Sequence, residues 1–75
     1  MPLSDQVLML TTSYLGPASK LFLERQTKMH MNGLELADIR KEHLPELAKW
    51  VNISASLLIS KERALELSER IKRLN

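Results

Sequence analysis

Leucine-rich stripes at helical spacing run along most of the chain and predict four helices. Near the N-terminus, Leu3, Val7, Leu10 and Tyr14 recur every three or four positions, which places them on one face of a helix. Comparable stripes follow, and they predict helices over about residues 5–15, 17–31, 45 onward and 61–74. The pattern leaves open whether residues 45–59 form one helix or two, because apolar positions continue past Asn52.

Glycine, proline and asparagine mark the ends of these predicted helices. Gly16 tolerates the left-handed backbone that ends a helix, and Pro17 suits the first position of the next helix, where its missing N–H costs nothing. Pro45 forbids a regular helix running through it and should hold Leu44 in an extended conformation. The residues that we expect to define the fold are Gly16, Pro17, Asn32, Gly33, Pro45 and Ser60.

Short polar side chains are expected to cap the N-terminal ends of helices. We expect Ser4 and Ser60 to act as N-caps, since a serine hydroxyl can accept a free backbone N–H of the first turn. Asp38 could cap an extra short turn over residues 39–43 in the same way. Because connections of a few residues join neighbouring, roughly antiparallel helices, the sequence predicts an all-α chain that forms a single compact four-helix domain over residues 1–75.

The composition excludes some classes of protein but does not identify a binding partner. Eleven basic and nine acidic residues give a formal net charge of only +2, which neither requires nor excludes nucleic acid. The chain has no cysteine, and so no disulfide and no thiolate metal site. It also lacks the roughly 20-residue apolar run of a membrane span and the basic and apolar start of a signal peptide. We therefore expect a cytoplasmic protein that does not bind membranes.

Residues capable of catalysis or metal binding are present, but their spacing suits neither role. Asp38, Glu42 and His43 lie close in sequence and His30 lies one segment earlier, yet no His-x-x-x-His pair and no cysteine completes a ligand set. The two glycines lie far apart, so no glycine loop could cradle a phosphate. We predict no catalytic residues, metal, cofactor or small-molecule substrate, and we expect the protein not to be an enzyme.

Residues 45–60 also allow a second interpretation, a DNA-binding helix-turn-helix. Residues 47–54 read like the first helix and turn of such a motif, with small Ala48 where two helices approach and Asn52 at the turn. The second helix would span residues 54–59, but it is short and apolar where a reading helix presents polar side chains to bases. DNA binding is therefore kept as the alternative hypothesis.

A more specific likeness begins at Tyr14-Leu15-Gly16-Pro17-Ala18-Ser19-Lys20. This stretch resembles the start of small helical modules at the ends of some bacterial serine/threonine protein kinases and response-regulator-type proteins. In those modules a tyrosine, an aliphatic residue, glycine and proline precede two small residues and a basic one. The likeness continues loosely through residues 22–26 and through the later spacing of leucine and isoleucine. The resemblance implies a non-catalytic accessory or interaction role in signalling.

Apolar residues outside the main stripes indicate a binding surface. A chain this short hides only about 60% of its surface on folding, so some of these residues should remain uncovered. Trp50 lies beside the stripe of the third helix, either as a boundary residue packed on one side or as an interface anchor. The candidate interface residues are Met9, Leu23, Leu36, Trp50, Ile53 and Leu57. We expect a protein partner, either a second copy in a homodimer or a larger signalling protein.

Overall fold

The regular secondary structure of this chain consists of helices and short 3₁₀ turns. The computed structural model describes residues 1–74, and within them no strand occurs. The α-helices are α1 (Leu3–Leu15), α2 (Ser19–His30), α3 (Leu44–Ala55) and α4 (Lys61–Lys72), and the 3₁₀ turns are Gly16–Ala18, Leu36–Asp38 and Lys41–His43. The predicted all-α class is confirmed, and the overall extents of 28 × 24 × 22 Å are those of a compact fold.

The core is centred on the packing of α3 against α4, the most extensive contact between helices. Leu47 and Val51 of α3 and Leu67 and Ile71 of α4 are completely buried. Burial of each such side chain contributes about 1.5–3 kcal/mol to folding. The buried stripe of α4 predicted from the sequence spacing is therefore confirmed at its centre, and Leu74 is partly buried against the same core.

The corner between α1 and α2 is built on Gly16, which has φ 69° and ψ −148°. This backbone region is essentially restricted to glycine, and it differs from the left-handed helical conformation that the sequence predicts there. Pro17 lies in a 3₁₀ turn, so α2 begins at Ser19, two residues later than expected. The Ser19 hydroxyl donates a hydrogen bond of 2.7 Å to the carbonyl of Gly16 and closes the corner.

The segment after α2 reverses direction through two residues with positive φ, Asn32 at 57° and Gly33 at 73°. Asp38 is the last residue of a 3₁₀ turn rather than a cap, so its predicted role is wrong. The next turn is held instead by His43, whose Nδ1 accepts the backbone N–H of Arg40 at 2.9 Å. His43 in turn donates its own N–H to the carbonyl of Arg40 at 2.9 Å.

Two predicted helix starts also differ from the structure. Ser4 lies inside α1, which begins at Leu3 with Pro2 before it, so Ser4 is not the cap. Leu44 is helical, with φ −60° and ψ −42°, rather than extended. Its position in the first turn places Leu44 in the core, and Pro45 is tolerated there because no intrahelical bond needs its N–H.

Residues 45–59 form neither one continuous helix nor two separate helices. Helix α3 runs through Asn52 but ends at Ala55, and the chain then turns, with the Ile59 N–H bonded to the Ala55 carbonyl at 2.8 Å. Ser60 has an extended conformation and its hydroxyl accepts the backbone N–H of Arg63 at 3.2 Å. Ser60 therefore starts α4 in the manner expected of an N-cap.

Candidate protein-interaction surface

A group of large apolar side chains lies exposed where α2, the end of α3 and the start of α4 meet. Leu57 and Leu58, in the turn between α3 and α4, are 84% and 66% exposed. The other three members of the group are at least half exposed. The residues of this leucine surface are Leu21, Ile53, Leu57, Leu58 and Leu65.

The leucine surface is exposed because the opposite faces of the same helices supply the core. In α3 the buried positions include Leu47, Val51 and Ala55, which turns Ile53 outward. In α2 the core positions include Leu23 and Thr27, and Leu21 consequently lies on the outer side. Ordinary monomers carry scattered exposed apolar residues, whereas Leu21, Leu57 and Leu58 lie together along one groove, as is typical of a binding surface.

Two neighbouring grooves run through the leucine surface. The α2 groove, of about 300 Å³, lies between α2 and the α3–α4 turn and is lined by Leu21, Phe22, Leu57 and Leu58 among others. The α4 groove, of about 360 Å³, lies on the other side of the α3 C-terminus and includes Ile53 and Leu65. Side chains of the α3 C-terminus and of the α3–α4 turn therefore lie between the α2 groove and the α4 groove.

The charged residues that line these grooves are all basic. Arg25 lines the α2 groove and Lys61 lines the α4 groove, and no acidic residue of the described chain lines either one. Neither Arg25 nor Lys61 takes part in an ion pair within residues 1–74. The surface therefore combines an apolar centre with unneutralised positive charge along its rim.

The polar groups inside the α2 groove are already engaged with each other. The Ser54 hydroxyl donates to Gln26 Oε1 at 2.9 Å, and Gln26 Nε2 donates to the Phe22 carbonyl at 3.3 Å. Because these groups have protein partners, an apolar side chain entering the groove would not leave them unpaired, which would otherwise oppose binding.

The structure brings together some of the predicted interface residues and separates others. Ile53 and Leu57 are both exposed near the C-terminal end of α3 and line the α4 groove and the α2 groove respectively, whereas Met9 is exposed on α1 and lines neither groove. Leu23 and Leu36 are buried, at 0% and 8% exposure, so their prediction as surface residues is wrong. Leu23 faces the core from α2, and the 3₁₀ turn containing Leu36 folds back over that core.

Trp50 stands apart from the leucine surface and is covered by a histidine. Its ring stacks on that of His30, with 4.1 Å between ring centroids and 10° between planes, and Lys49 Nζ lies 4.9 Å from the ring centroid. This contact joins α3 to the C-terminal end of α2. The arrangement is that of a boundary residue packed on one side, and not that of an open anchor.

A second cluster of polar contacts surrounds Tyr14 at the C-terminal end of α1. The Tyr14 hydroxyl donates to Glu66 and accepts from Arg70 Nη1 at 3.0 Å, and Arg63 lies over the phenol ring at 4.5 Å. The hydrogen bond that Arg70 donates to the Tyr14 oxygen, together with the nearby Glu66 carboxylate, raises the pKa of the Arg70 guanidinium. The cluster ties α1 to α4.

Leu21, Leu58 and Leu65 belong to the leucine surface but are absent from the interface predicted by sequence. Leu21 and Leu65 each precede or follow a buried residue in sequence, Phe22 and Ala64 respectively, so hydrophobicity alone does not separate them from the core. The signal that distinguishes them is helical position: Leu21 and Arg25 share one face of α2, four residues apart, opposite Leu23. Leu58 lies in the turn, where no periodicity applies.

Further observations concern residues 1–74 apart from the leucine surface. Within that part of the chain, no three His, Asp or Glu side chains approach closely enough to hold a metal ion, and no helix has both the length and the apolarity to cross a membrane. Residues 54–59 do not form the separate second helix that the helix-turn-helix interpretation requires. A third cavity, between α1, α2 and the Leu36–Asp38 turn, is lined by charged side chains such as Asp5 and Lys20 and about equally by apolar ones.

Comparison with known proteins gives no family assignment. No protein-family model matches the chain, and the comparisons with curated proteins and with solved structures also produced no match.

Proposed function

We propose that this chain is a non-catalytic protein–protein interaction module that acts in the bacterial cytoplasm as part of a signalling system. In this proposal it is a four-helix domain with roughly antiparallel helices, and it binds its protein partner through the leucine surface. The observation that carries the proposal is the exposure of Leu57 and Leu58 beside an apolar groove. The signalling context rests on the resemblance of the segment around Gly16 and Pro17 to accessory modules of signalling proteins.

The energetics support binding by this surface. Covering an exposed leucine removes apolar area from water at about 25 cal/mol per Å², and a few fully covered anchors supply most of the affinity of an ordinary interface. The engaged pair of Gln26 and Ser54 lowers the cost of covering the groove. The unneutralised cations Arg25 and Lys61 lie at the rim, where side chains of this kind can stay hydrated.

The proposal is tested by a charge placed in the leucine surface. We expect Leu57→Glu to abolish capture of the protein partner, including further copies of the same chain, by the immobilised protein in host extract. A carboxylate there would have to leave water for an apolar groove, and this desolvation opposes binding by more than an ion pair with Arg25 would return. The measurement is quantitative mass spectrometry of the retained proteins.

The matched control is Met29→Glu, which changes another exposed apolar residue that lies outside the surface. Both variants should retain the circular dichroism of the wild-type helices, because neither side chain is buried. The proposal would be rejected if wild type, Leu57→Glu and Met29→Glu retained the same proteins in the same amounts.

A further inference from the structure

We infer that the α2 groove binds an amphipathic helix of a partner protein, and that this helix carries a carboxylate beside its apolar face, which pairs with Arg25 at the rim. This inference rests on the proposed function, because it states the chemistry of the partner that binds the leucine surface. It uses three properties of the groove, which are its apolar walls, its engaged polar groups and its single cation.

The walls of the α2 groove suit a row of aliphatic side chains. Leu21 and Phe22 line one side, and Leu57 and Leu58 of the α3–α4 turn line the other. On the α2 side the lining extends from residue 18 to residue 26, which is roughly 12 Å at a helical rise of 1.5 Å per residue. This length matches about two turns of a docked helix, with apolar anchors at positions i, i+3 or i+4, and i+7.

The engaged polar groups favour a helical occupant over an extended one. The uncharged polar side chains of the groove, Gln26 and Ser54, bond to each other at 2.9 Å, and Gln26 also bonds to the Phe22 carbonyl. An extended peptide would need partners for its own backbone N–H and C=O groups, and residues 1–74 contain no strand whose edge could supply them. A helix satisfies its backbone internally, so it can cover the groove without losing those hydrogen bonds.

The electrostatics of the groove favour a carboxylate on the occupant. Residues 50–60, which include the wall formed by the α3–α4 turn, contain no charged residue, and Arg25 is the only charged residue among those that line the groove. Arg25 is exposed and forms no ion pair within residues 1–74. Its guanidinium can take a carboxylate through two parallel hydrogen bonds, and at the exposed rim both groups stay partly hydrated. A basic occupant would be repelled there.

The first measurement is selection from a display library of helix-forming peptides, randomised on their surface, against the immobilised full chain. We expect the enriched peptides to share an apolar stripe at the spacing i, i+3 or i+4, and i+7, with Asp or Glu beside it. Selection against Arg25→Glu should enrich Lys or Arg at the flanking positions in place of the acidic residues. Selection against Leu57→Glu should not enrich the stripe. Circular dichroism checks that each variant keeps the wild-type helices.

The second measurement is fluorescence anisotropy with one selected peptide and with a version of it whose acidic residue is replaced by lysine. Arg25→Glu should weaken binding of the original peptide by about tenfold or more, since a hydrogen bond between charged groups is lost, and should restore binding of the lysine version. Added salt should weaken the original pair. Lys20→Glu is the matched control, because it makes the same change of charge at an exposed residue of α2 that lines a different cavity. It should leave both affinities nearly unchanged.

Three results would overturn the inference: no enriched stripe, a stripe without acidic residues, or equal weakening of the peptide by Arg25→Glu and Lys20→Glu. Two other occupants are checked on the same variants. Sedimentation of the wild type with phosphatidylglycerol vesicles, lost in Leu57→Glu and Arg25→Glu, would assign the surface to a membrane, and a dimer that Leu57→Glu dissociates would assign it to a second copy.

The proposed function is judged separately. If the selection fails but capture of a protein from extract still depends on Leu57, the acidic helix is rejected and the proposed function stands. If neither the selection nor the capture depends on Leu57, both are rejected.

Discussion

Thr11 and Thr27 are buried to the same extent, yet only one of their hydroxyls has a hydrogen-bond partner. Thr27 Oγ1 donates to the Glu24 carbonyl at 3.2 Å. Thr11 Oγ1 has no partner among the residues described. A buried hydroxyl without a partner loses its bonds to water and gains nothing in return, so these two threonines should respond in opposite directions to the same substitution.

We expect Thr11→Val to raise the free energy of unfolding by about 1 kcal/mol, because valine keeps the shape and removes the unpaired hydroxyl. Thr27→Val is the matched control and should lower the free energy of unfolding by about 1 kcal/mol, since it breaks an existing hydrogen bond and leaves a carbonyl with one fewer donor. Urea denaturation followed by circular dichroism measures both. A loss of stability in Thr11→Val would contradict the interpretation.

Among the helices, α1 depends on a small number of contacts for its register against α4. One of these is the hydroxyl of Tyr14, which is shared between Glu66 and Arg70. The ring beneath that hydroxyl also packs against Arg63. Removal of the hydroxyl alone would therefore weaken one link between α1 and α4 without opening a cavity.

We expect Tyr14→Phe to lower the free energy of unfolding by about 0.5–1.5 kcal/mol, the usual contribution of a hydrogen bond of this kind. Glu66→Gln made in the Tyr14→Phe background should cost less than the same change in the wild type, because the two residues share one interaction. Urea midpoints of the four proteins complete the cycle. Additive effects of the two substitutions would show that the contact does not hold the helices together.

The helices differ in how far the sequence alone predicts their buried faces. In α3 the core positions are apolar at helical spacing, and in α4 they are apolar except for Ser68, so Leu47, Val51 and Leu67 follow directly from the periodicity. In α2 the core side includes the polar residues Gln26 and Thr27, while Leu21 is exposed. Those polar residues are buried because local backbone carbonyls accept their hydrogen bonds, and this compensation is not visible in a hydrophobic pattern.

The candidate surface is predictable only in part for a similar reason. Ile53 and Leu57 fall off the apolar stripes, and that property does correspond to exposure. Leu36 falls off the stripes too, but the chain around it forms 3₁₀ turns that return it to the core. Periodicity applies to helices, so it misplaces residues of irregular segments, and it equally missed Leu58 in the α3–α4 turn.

At the scale of the whole molecule, one apolar cluster receives side chains from every α-helix, and little of the core is independent of the rest. A single core in a domain of this size rarely supplies more than roughly 3–5 kcal/mol of stability. The loss of one central side chain should therefore affect the complete fold rather than one helix.

We expect Leu67→Ala to cost about 2–5 kcal/mol and thus to leave much of the protein unfolded at 25 °C. Leu65→Ala is the control in the same helix, and as an exposed residue it should leave the fold intact. The helical signal in circular dichroism and the dispersion of NMR amide resonances measure the folded fraction. A folded Leu67→Ala with loss of order confined to α4 would show that the core is not cooperative.

The stack of His30 on Trp50 gives the molecule a natural optical reporter. Trp50 is the only tryptophan, and it lines neither of the two grooves. The fluorescence emission of Trp50 should therefore change when α2 separates from α3 on unfolding. The emission should change little when another chain covers the leucine surface. Denaturation and association can consequently be recorded separately in one cuvette, without a dye or an added label.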